Sequence, residues 1–546
     1  WPSPLPHQAP PAPRPYAIPA RPITADLFNS SPEKGHAMNT QSSIRTAATT
    51  SPDVLPSERI AAGMLPRVLS AFDLVAIFVC IVLFLSNSAI LAGGAGPAAY
   101  VYWALGFLTF LIPGAIITGQ LGLMFPGEGS LYLWTHKAFG PFMGFFAGFC
   151  AWWPGMLGLV ATGDGVVSLL QQLNGAWLSA PWQQGVVIVL VIALSCALSL
   201  LRLRLTQRVI NIGFVAYGVA ILLVGLAGLL TVLRREIAPV NYALPNWVPQ
   251  PATWTFYGTV ILALLGIEVP LNMGVEIRET RAITRYLFWG SLVVIAAYLL
   301  GTFGVMTAVQ PLSAQGSPAA IAEAVRAGFG PLGAALGLLV TLVFIGFFVF
   351  ATTVYNYSFA RLIFVSGLDR RLPAFMSHLN TARVPAVAVL VQSGIATALT
   401  LLLFVILPYT LPLGMSAADL STVVYILPQA AIVVIWCLSM VLLFVNVLII
   451  RRKYRSAFEA VRLAPDWLFT LCSAAGVLAS AAGMIVTFTA PWTNLLSAGQ
   501  WSGWIGSLVT GSLLLGGALF LLGQRRGNQP QASSLAGERV QQEEQA

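Results

Sequence analysis

Of 546 residues, 57% are hydrophobic and only 9% charged, with 28 lysines and arginines against 19 aspartates and glutamates. Soluble domains average about 25% charged residues, so this chain cannot clothe a globule of its size in ionisable surface. That excludes an ordinary cytosolic enzyme, a coiled coil and, despite a net charge of +9, a nucleic-acid-binding protein.

Residues 1–58 open with a Pro-rich stretch and continue rich in Ser, Thr and Ala. Such a segment buries too little apolar surface to offset chain entropy, which predicts a disordered tail. Met38 is a candidate start for the native product, and no signal peptide is visible. Apolar runs then follow near 71–93, 98–124, 140–170, 184–201, 209–233 and 254–275. A second set lies near 286–309, 331–365, 385–407, 420–450, 467–489 and 501–522. Each is long enough to cross a hydrocarbon core of about 30 Å at 1.5 Å per residue. The fold class is therefore all-α and polytopic, with about twelve transmembrane helices. The polar segment 523–546 is predicted to be a second disordered tail.

Loop cations set the orientation. Every second loop is basic: Arg59 and Arg67, Lys137, Arg202 to Arg208, Arg278 to Arg285, Arg361 to Arg383, Arg451 to Arg462, and Arg525 with Arg526. The other side receives only Arg234, Arg235 and Arg326. Strict alternation also checks the span count, since one missed helix would invert every later loop. Both termini are expected in the cytoplasm, in a protein of the cell membrane.

Two spans carry interruptions. The first contains Ser86-Asn87-Ser88 and then Gly93-Gly94-Ala95-Gly96-Pro97. The sixth contains Leu265-Gly266-Ile267-Glu268-Val269-Pro270. Helices that stop at the bilayer midplane expose carbonyls and half-helix N-termini, and such breaks mark solute sites. Spans one and six are equivalent positions in a five-plus-five inverted repeat. That places the first repeat at 59–233, the second at 254–450, and two accessory helices at 467–522.

Glu268 lies at mid-helix depth, where a carboxylate costs about 2.5–3.5 kcal/mol on insertion scales. Three roles fit it: a proton carrier, a latch between the broken helices, or a direct partner of a substrate ammonium. Asn356, with Thr352 and Thr353, is a second coupling candidate whose oxygens could meet sodium, although such hydroxyls commonly bond their own backbone. Asp73 suits the positive end of span one. The five cysteines, Cys80, Cys150, Cys196, Cys437 and Cys472, sit in apolar runs with no metal or disulfide spacing. Neither a metal nor another cofactor is expected.

Several motifs then fall in a telling order: Gly96-Pro97 with Trp103, Phe125-Pro126-Gly127-Glu128-Gly129-Ser130-Leu131-Tyr132, and Phe139-Gly140-Pro141 with Gly144. Leu265-Gly266-Ile267-Glu268, Arg278-Glu279-Thr280-Arg281 and Arg361 with Asp369-Arg370-Arg371-Leu372-Pro373 follow. Together they resemble the amino acid/polyamine/organocation permeases across about residues 70–390. The resemblance implies a LeuT-like 5+5 inverted repeat plus two C-terminal helices. It implies secondary active transport of an amino acid or related small amine by alternating access, through proton symport or substrate exchange. By analogy, a substrate carboxylate meets N–H groups around Ser86, Asn87, Ser88 and Ala89. The ammonium meets carbonyls around Leu264, Leu265, Gly266 and Ile267. The chain departs from the pattern in lacking a Gly-x-Gly break in span one, an aromatic gate before Gly266 and a lysine in span five. With no cation there, a dicarboxylate substrate loses its simplest partner. The alternative is a membrane-embedded sensor or enzyme; against it, no HExxH, GxSxG or GxxxxGK[ST] occurs, and no loop is large enough for a signalling domain.

Overall fold

A computed structural model describes residues 54–238, 240–310, 319–410 and 416–527. The segments read as tails therefore lie mostly outside the described residues. The chain divides into two units, 1–51 and 52–546, and the second holds all that follows.

Among the described residues, eleven helices are long and apolar enough to span a bilayer, and a bent pair supplies a twelfth. Span 1 is that pair, Ala71–Val82 and Ser86–Ala95, with 43° between its halves. Spans 2 to 6 are Ala98–Met124, Pro141–Leu173, Pro181–Ser199, Leu203–Leu233 and Thr255–Asn272. Spans 7 to 9 are Arg281–Ala308, Gly330–Leu368 and Ala386–Thr410. Span 10 is Ala417–Lys453, and spans 11 and 12 are Asp466–Thr489 and Ala498–Gln524. The polarity of the surface is the reverse of a soluble protein's. Ile212, Leu190, Leu222, Leu478 and Leu514 are 63–72% exposed, while Arg361 and Glu276 are wholly buried. Apolar side chains turned outward in this way need lipid as their solvent.

The local chemistry explains where helices start and bend. Span 1 opens on a reciprocal cap in which Asp73 N–H donates to Ser70 Oγ and Ser70 N–H donates to the Asp73 carboxylate. This caps the helix end where the sequence placed Asp73. Gly140, at φ 92°, turns the chain into Pro141 at the head of span 3. Spans 2 and 9 each contain one wide π turn, Phe107–Leu111 and Leu402–Ile406. Each lies just before a proline, Pro113 or Pro408, whose missing N–H cannot close the regular ladder.

Three differences from the sequence reading matter. A helix, Pro56–Met64, begins inside the segment expected to be an irregular tail, and span 12 remains helical to Gly527. Among the described residues three further helices, Ser130–Phe139, Ala320–Gly328 and the short Arg455–Ala460, lie between spans. The run 254–275 is α-helical only to Leu264 and continues as short 3₁₀ turns at Val269–Asn272 and Gly274–Glu276.

Spans 3 and 8, at 33 and 36 helical residues, form the spine beside the breaks. At 1.5 Å per residue each is about 50 Å long, more than the hydrocarbon needs, so they tilt or project. They approach closely because Gly155, Gly158 and Gly165 of span 3 leave room for the rings of Phe359, Tyr355 and Phe348. Hereafter the side bearing the basic loops is the basic face. There the Pro56–Met64 helix is pinned by Ser57, whose N–H and Oγ donate to the Asp369 carboxylate at 2.8 and 2.9 Å. Tyr132 Oη donates to the same carboxylate at 2.8 Å, and Lys137 pairs with Glu58 at 2.8 Å.

Candidate functional site

The break in span 1 runs from Leu83 to Leu85, and three tyrosines from other spans take up the peptide groups it frees. Tyr355 Oη donates to the Ile81 carbonyl at 3.1 Å and Tyr298 Oη to that of Val82 at 2.7 Å. Tyr217 Oη donates to the Leu83 carbonyl and accepts the Leu85 N–H, both at 3.1 Å. Phe84 N–H donates to Tyr298 Oη at 3.3 Å. These phenols come from spans 8, 7 and 5 and are buried. In an apolar interior every peptide group must find a partner, and the tyrosines meet that demand without closing the helix.

Span 6 breaks opposite. Tyr298 Oη also reaches the Ala263 carbonyl at 3.2 Å, so one hydroxyl touches both interrupted helices. Tyr286 Oη donates to the Ile267 carbonyl at 3.3 Å. The Leu264 and Leu265 carbonyls and the Gly266 and Ile267 N–H groups have no hydrogen-bond partner among the described residues, and neither has the Ser86 N–H. Gly266 adopts φ 105°, the left-handed side of the map. A Cβ there would collide with Ile81 of span 1 and lie 3.4 Å from Trp436 of span 10. The two breaks therefore meet at Gly266.

Beside them lies a cavity of about 180 Å³. Its wall includes Ser86 and Asn87, the rings of Phe84, Phe348, Tyr355 and Trp436, and Thr162 with Gln429. Among the described residues no charged side chain lines it. The wall thus offers peptide dipoles, amides and aromatic faces, a set that holds an ammonium by carbonyls and cation–π attraction and an anion by a half-helix N-terminus.

The expected site residues are not all brought to this wall. Ser86 and Asn87 line it. Ser88 and Ala89 are buried, and Ser88 Oγ donates to the Tyr298 carbonyl at 3.1 Å. Asn87 and Ser88 N–H groups close back on the Phe84 and Leu85 carbonyls at 3.0 and 2.9 Å. Leu264, Leu265, Gly266 and Ile267 are buried and do not line the cavity, whereas Leu262 does. Glu268 sits behind Trp436, whose Nε1–H donates to its Oε1 at 3.2 Å, while Oε2 has no partner among the described residues. Asn356 lies elsewhere, between spans 4, 8 and 9, donating to Ser393 Oγ at 2.8 Å and Ser195 Oγ at 3.4 Å. Thr352 and Thr353 hydroxyls donate to the Phe348 and Val349 carbonyls. No cluster of metal-ligating His, Cys, Asp or Glu occurs among the described residues.

Sequence reasoning missed Tyr217, Tyr298, Tyr355 and Trp436. Their signal was present, since tyrosines in mid-span lie far from the interfacial belts they favour. It also counted Arg361 as a loop cation; the side chain is wholly buried inside span 8.

A bundle of apolar helices long enough to span a bilayer, with two facing breaks beside a small cavity, defines a polytopic integral membrane protein. The chain belongs to the amino acid permease family, whose model matches residues 69–518. Among its relatives is a protein of Lactococcus lactis named a probable agmatine/putrescine antiporter. It is 25% identical over 243 residues, 44% of this chain and 52% of the relative, so the match spans about half of that protein. An uncharacterized transporter of Legionella pneumophila is 24% identical over 61% of this chain and 73% of its own. A glutamate/serine transporter of Bacillus subtilis is 33% identical over 95 residues, 17% of either chain.

Proposed function

We propose that this protein carries a small amine or amino acid across the cytoplasmic membrane by alternating access, as a proton symporter or an exchanger. The observation that carries the reading is the meeting of two helix breaks, with unpartnered carbonyls at Leu264 and Leu265 and an unpartnered N–H at Ser86, beside one cavity without charged walls. Peptide groups of opposite polarity at one place suit a zwitterion, and carbonyls with aromatic rings suit an ammonium alone. At about 180 Å³ the cavity is smaller than the ~300–1,000 Å³ of sites for drug-sized ligands, which favours a solute of few heavy atoms. The names of the relatives, an agmatine/putrescine antiporter and a glutamate/serine transporter, support the same solute class.

In this reading the basic face is cytoplasmic, and both termini lie there. Ser86 and Asn87, at the N-terminus of the second half of span 1, form the anion-facing end of the site, and the Leu264 and Leu265 carbonyls the cation-facing end. Glu268 is the coupling group: its bond to Trp436 links the span 6 break to the cavity wall, and its second oxygen is free for a proton or an ammonium. Asn356 steadies spans 4, 8 and 9 around which the broken spans move. The test is uptake and counterflow by the purified full chain in liposomes, with and without a pH gradient, across diamines, agmatine and neutral and acidic amino acids. Saturable movement of at least one amine or amino acid is expected. Folded protein that moves none of them overturns the proposal.

A further inference from the structure

On the basic face, three ionisable side chains meet in the interior. Arg361 of span 8, Glu276 just beyond span 6 and Glu128 just beyond span 2 are at most 3% exposed. Arg361 grips Glu276 with Nε and Nη2 at 3.1–3.2 Å, and its Nη1 donates to the Tyr357 carbonyl at 2.7 Å. Glu128 is left over. Its Oε2 accepts the Val275 N–H at 3.2 Å, while Oε1 accepts no hydrogen bond and lies 3.8 Å from Arg361 Nε, a donor already given to Glu276.

Two carboxylates face one guanidinium, so the cluster carries one negative charge too many when both are ionised. Among the described residues no nearby cation is free to cancel it. Lys137 is paired with Glu58, and Arg67 and Arg278, at the rim of the adjoining surface cleft, are exposed to solvent. The other acids of the surrounding elements have their own donors: Asp369 has Ser57 and Tyr132, Asp73 has Ser70 and Asn211, and Glu268 has Trp436. Tyr357, whose ring lies under Arg361, donates its hydroxyl to Gln207. An unpaired buried charge is removed most readily by protonation. Burial raises the Glu276 carboxyl too, but Glu276 holds both fork bonds of the guanidinium, which oppose that shift. The carboxyl left to take the proton is Glu128, with an oxygen that has nothing else to bind.

The cluster sits where three chain segments close the basic face. Gly129 N–H donates to the Asn272 carbonyl at 2.9 Å, and Ser130 Oγ to Asn272 Oδ1 at 2.9 Å. Val68 and Leu69 N–H groups donate to the Glu276 carbonyl, and Arg278 N–H returns to that of Leu69. A Cβ on Gly274 would strike the Gly127 carbonyl, so the Glu128 loop and the chain beyond span 6 are in close contact. Parting these segments lets water reach Glu128.

We infer that Glu128 is a proton-binding site that locks the basic face shut: one proton is held on its carboxyl while the seal is closed and passes to water when the seal opens. Burial, reinforced by the Glu276 charge and opposed by Arg361 and the Val275 N–H, holds the Glu128 carboxyl well above the usual carboxylate range. A carboxyl raised in the sealed state and ordinary in the open one favours sealing at low pH. That preference is lost as pH rises through the raised value, by up to tenfold per pH unit for one proton. In the orientation proposed above, a more alkaline cytoplasm opens the site inward. This site is distinct from Glu268, and only its transport consequence rests on the proposed function.

The test is hydrogen exchange by mass spectrometry on the full chain in nanodiscs across pH 5.5 to 8.5, corrected for intrinsic exchange. In the wild type, peptides covering 66–70, 125–131 and 272–278 lose protection as pH rises, while those of span 3 do not. In Glu128→Gln, which mimics the protonated carboxyl, the same peptides stay protected throughout. Infrared difference spectra supply a second measurement, in which a protonated-carboxyl band present in the wild type is missing from the variant. Exchange kinetics in Glu128→Gln that follow pH as the wild type does, or an unchanged carboxyl band, overturn the assignment. Should the variant fail to fold, the wild-type protection profile decides, and its independence of pH overturns the assignment equally. In liposomes at equal pH on both sides, solute exchange rises with pH in the wild type and is flat in the variant. A chain that moves no solute removes the transport reading alone, because the protection data stand without it.

Discussion

Tyr298 offers the sharpest test of how the two breaks are held open. Replacing it by phenylalanine keeps the ring that stacks on Trp103 at a centroid distance of 4.1 Å, and so removes the hydroxyl alone. That hydroxyl serves the Phe84 N–H and the Val82 and Ala263 carbonyls. A buried group left unsatisfied costs about 1–3 kcal/mol, although hydrogen bonds between membrane helices average nearer ~0.6 kcal/mol. With one N–H and one carbonyl stranded at about 1 kcal/mol each, Tyr298→Phe should cost about 2 kcal/mol, roughly a 30-fold shift away from this arrangement of the breaks. Two readings check this: thermal unfolding of the purified protein in detergent, and the Kd of whichever solute the liposome panel identifies. Both should worsen. Tyr217→Phe should lower stability by a similar amount yet weaken binding less, because its bonds reach span 1 only. A Tyr298→Phe protein with wild-type melting and wild-type affinity would show that this hydroxyl does not tie the breaks together.

The remaining predictions address the site and its charges. Gly266→Leu should insert normally and bind no solute, since even a Cβ at φ 105° meets Ile81 and the left-handed backbone alone costs about 1–2 kcal/mol; unaltered affinity in a binding assay would remove Gly266 from the site. Glu268→Gln should lower pH-gradient-driven accumulation more than it lowers exchange, and equal loss of both in paired liposome assays would make Glu268 a latch instead of a coupling group. Arg361→Met should cost about 3–5 kcal/mol by stranding the buried Glu276 carboxylate. Because the stranded Glu276 can then be neutralised by protonation, the loss should be largest at alkaline pH and shrink as pH falls. Melting curves at pH 5 and pH 8 that show the same deficit would contradict that account.

Much of this protein is legible in its sequence. The second break lies at Gly266, where the glycine pointed; the first was expected at Ser86-Asn87-Ser88 but opens at Leu83–Leu85, and those three polar residues begin the second half-helix. Asp73 caps the helix that its position suggested. Other residues misled. Arg361 looked like a loop cation because positive charge near a span end ordinarily means the water side, and only the fold buries it against Glu276. Glu128 passed as part of a turn motif because a carboxylate in a polar loop carries no signal of burial. Asn356 drew attention by its depth, yet its partners are Ser195 and Ser393 and it does not line the cavity.

The division follows from the range of the forces involved. Crossing a bilayer is a requirement on each segment separately, on its length, its apolarity and the cations at its ends, so span number and orientation are local properties written along the chain. What fills the gap in a broken helix is settled between segments far apart in sequence. A phenol from span 7 or an indole from span 10 reaches a carbonyl or carboxylate in span 1 or span 6 only after the bundle has packed. The charge balance at Glu128 is set in the same way, since one guanidinium can be shared by two carboxylates only once three distant stretches of chain have closed around it.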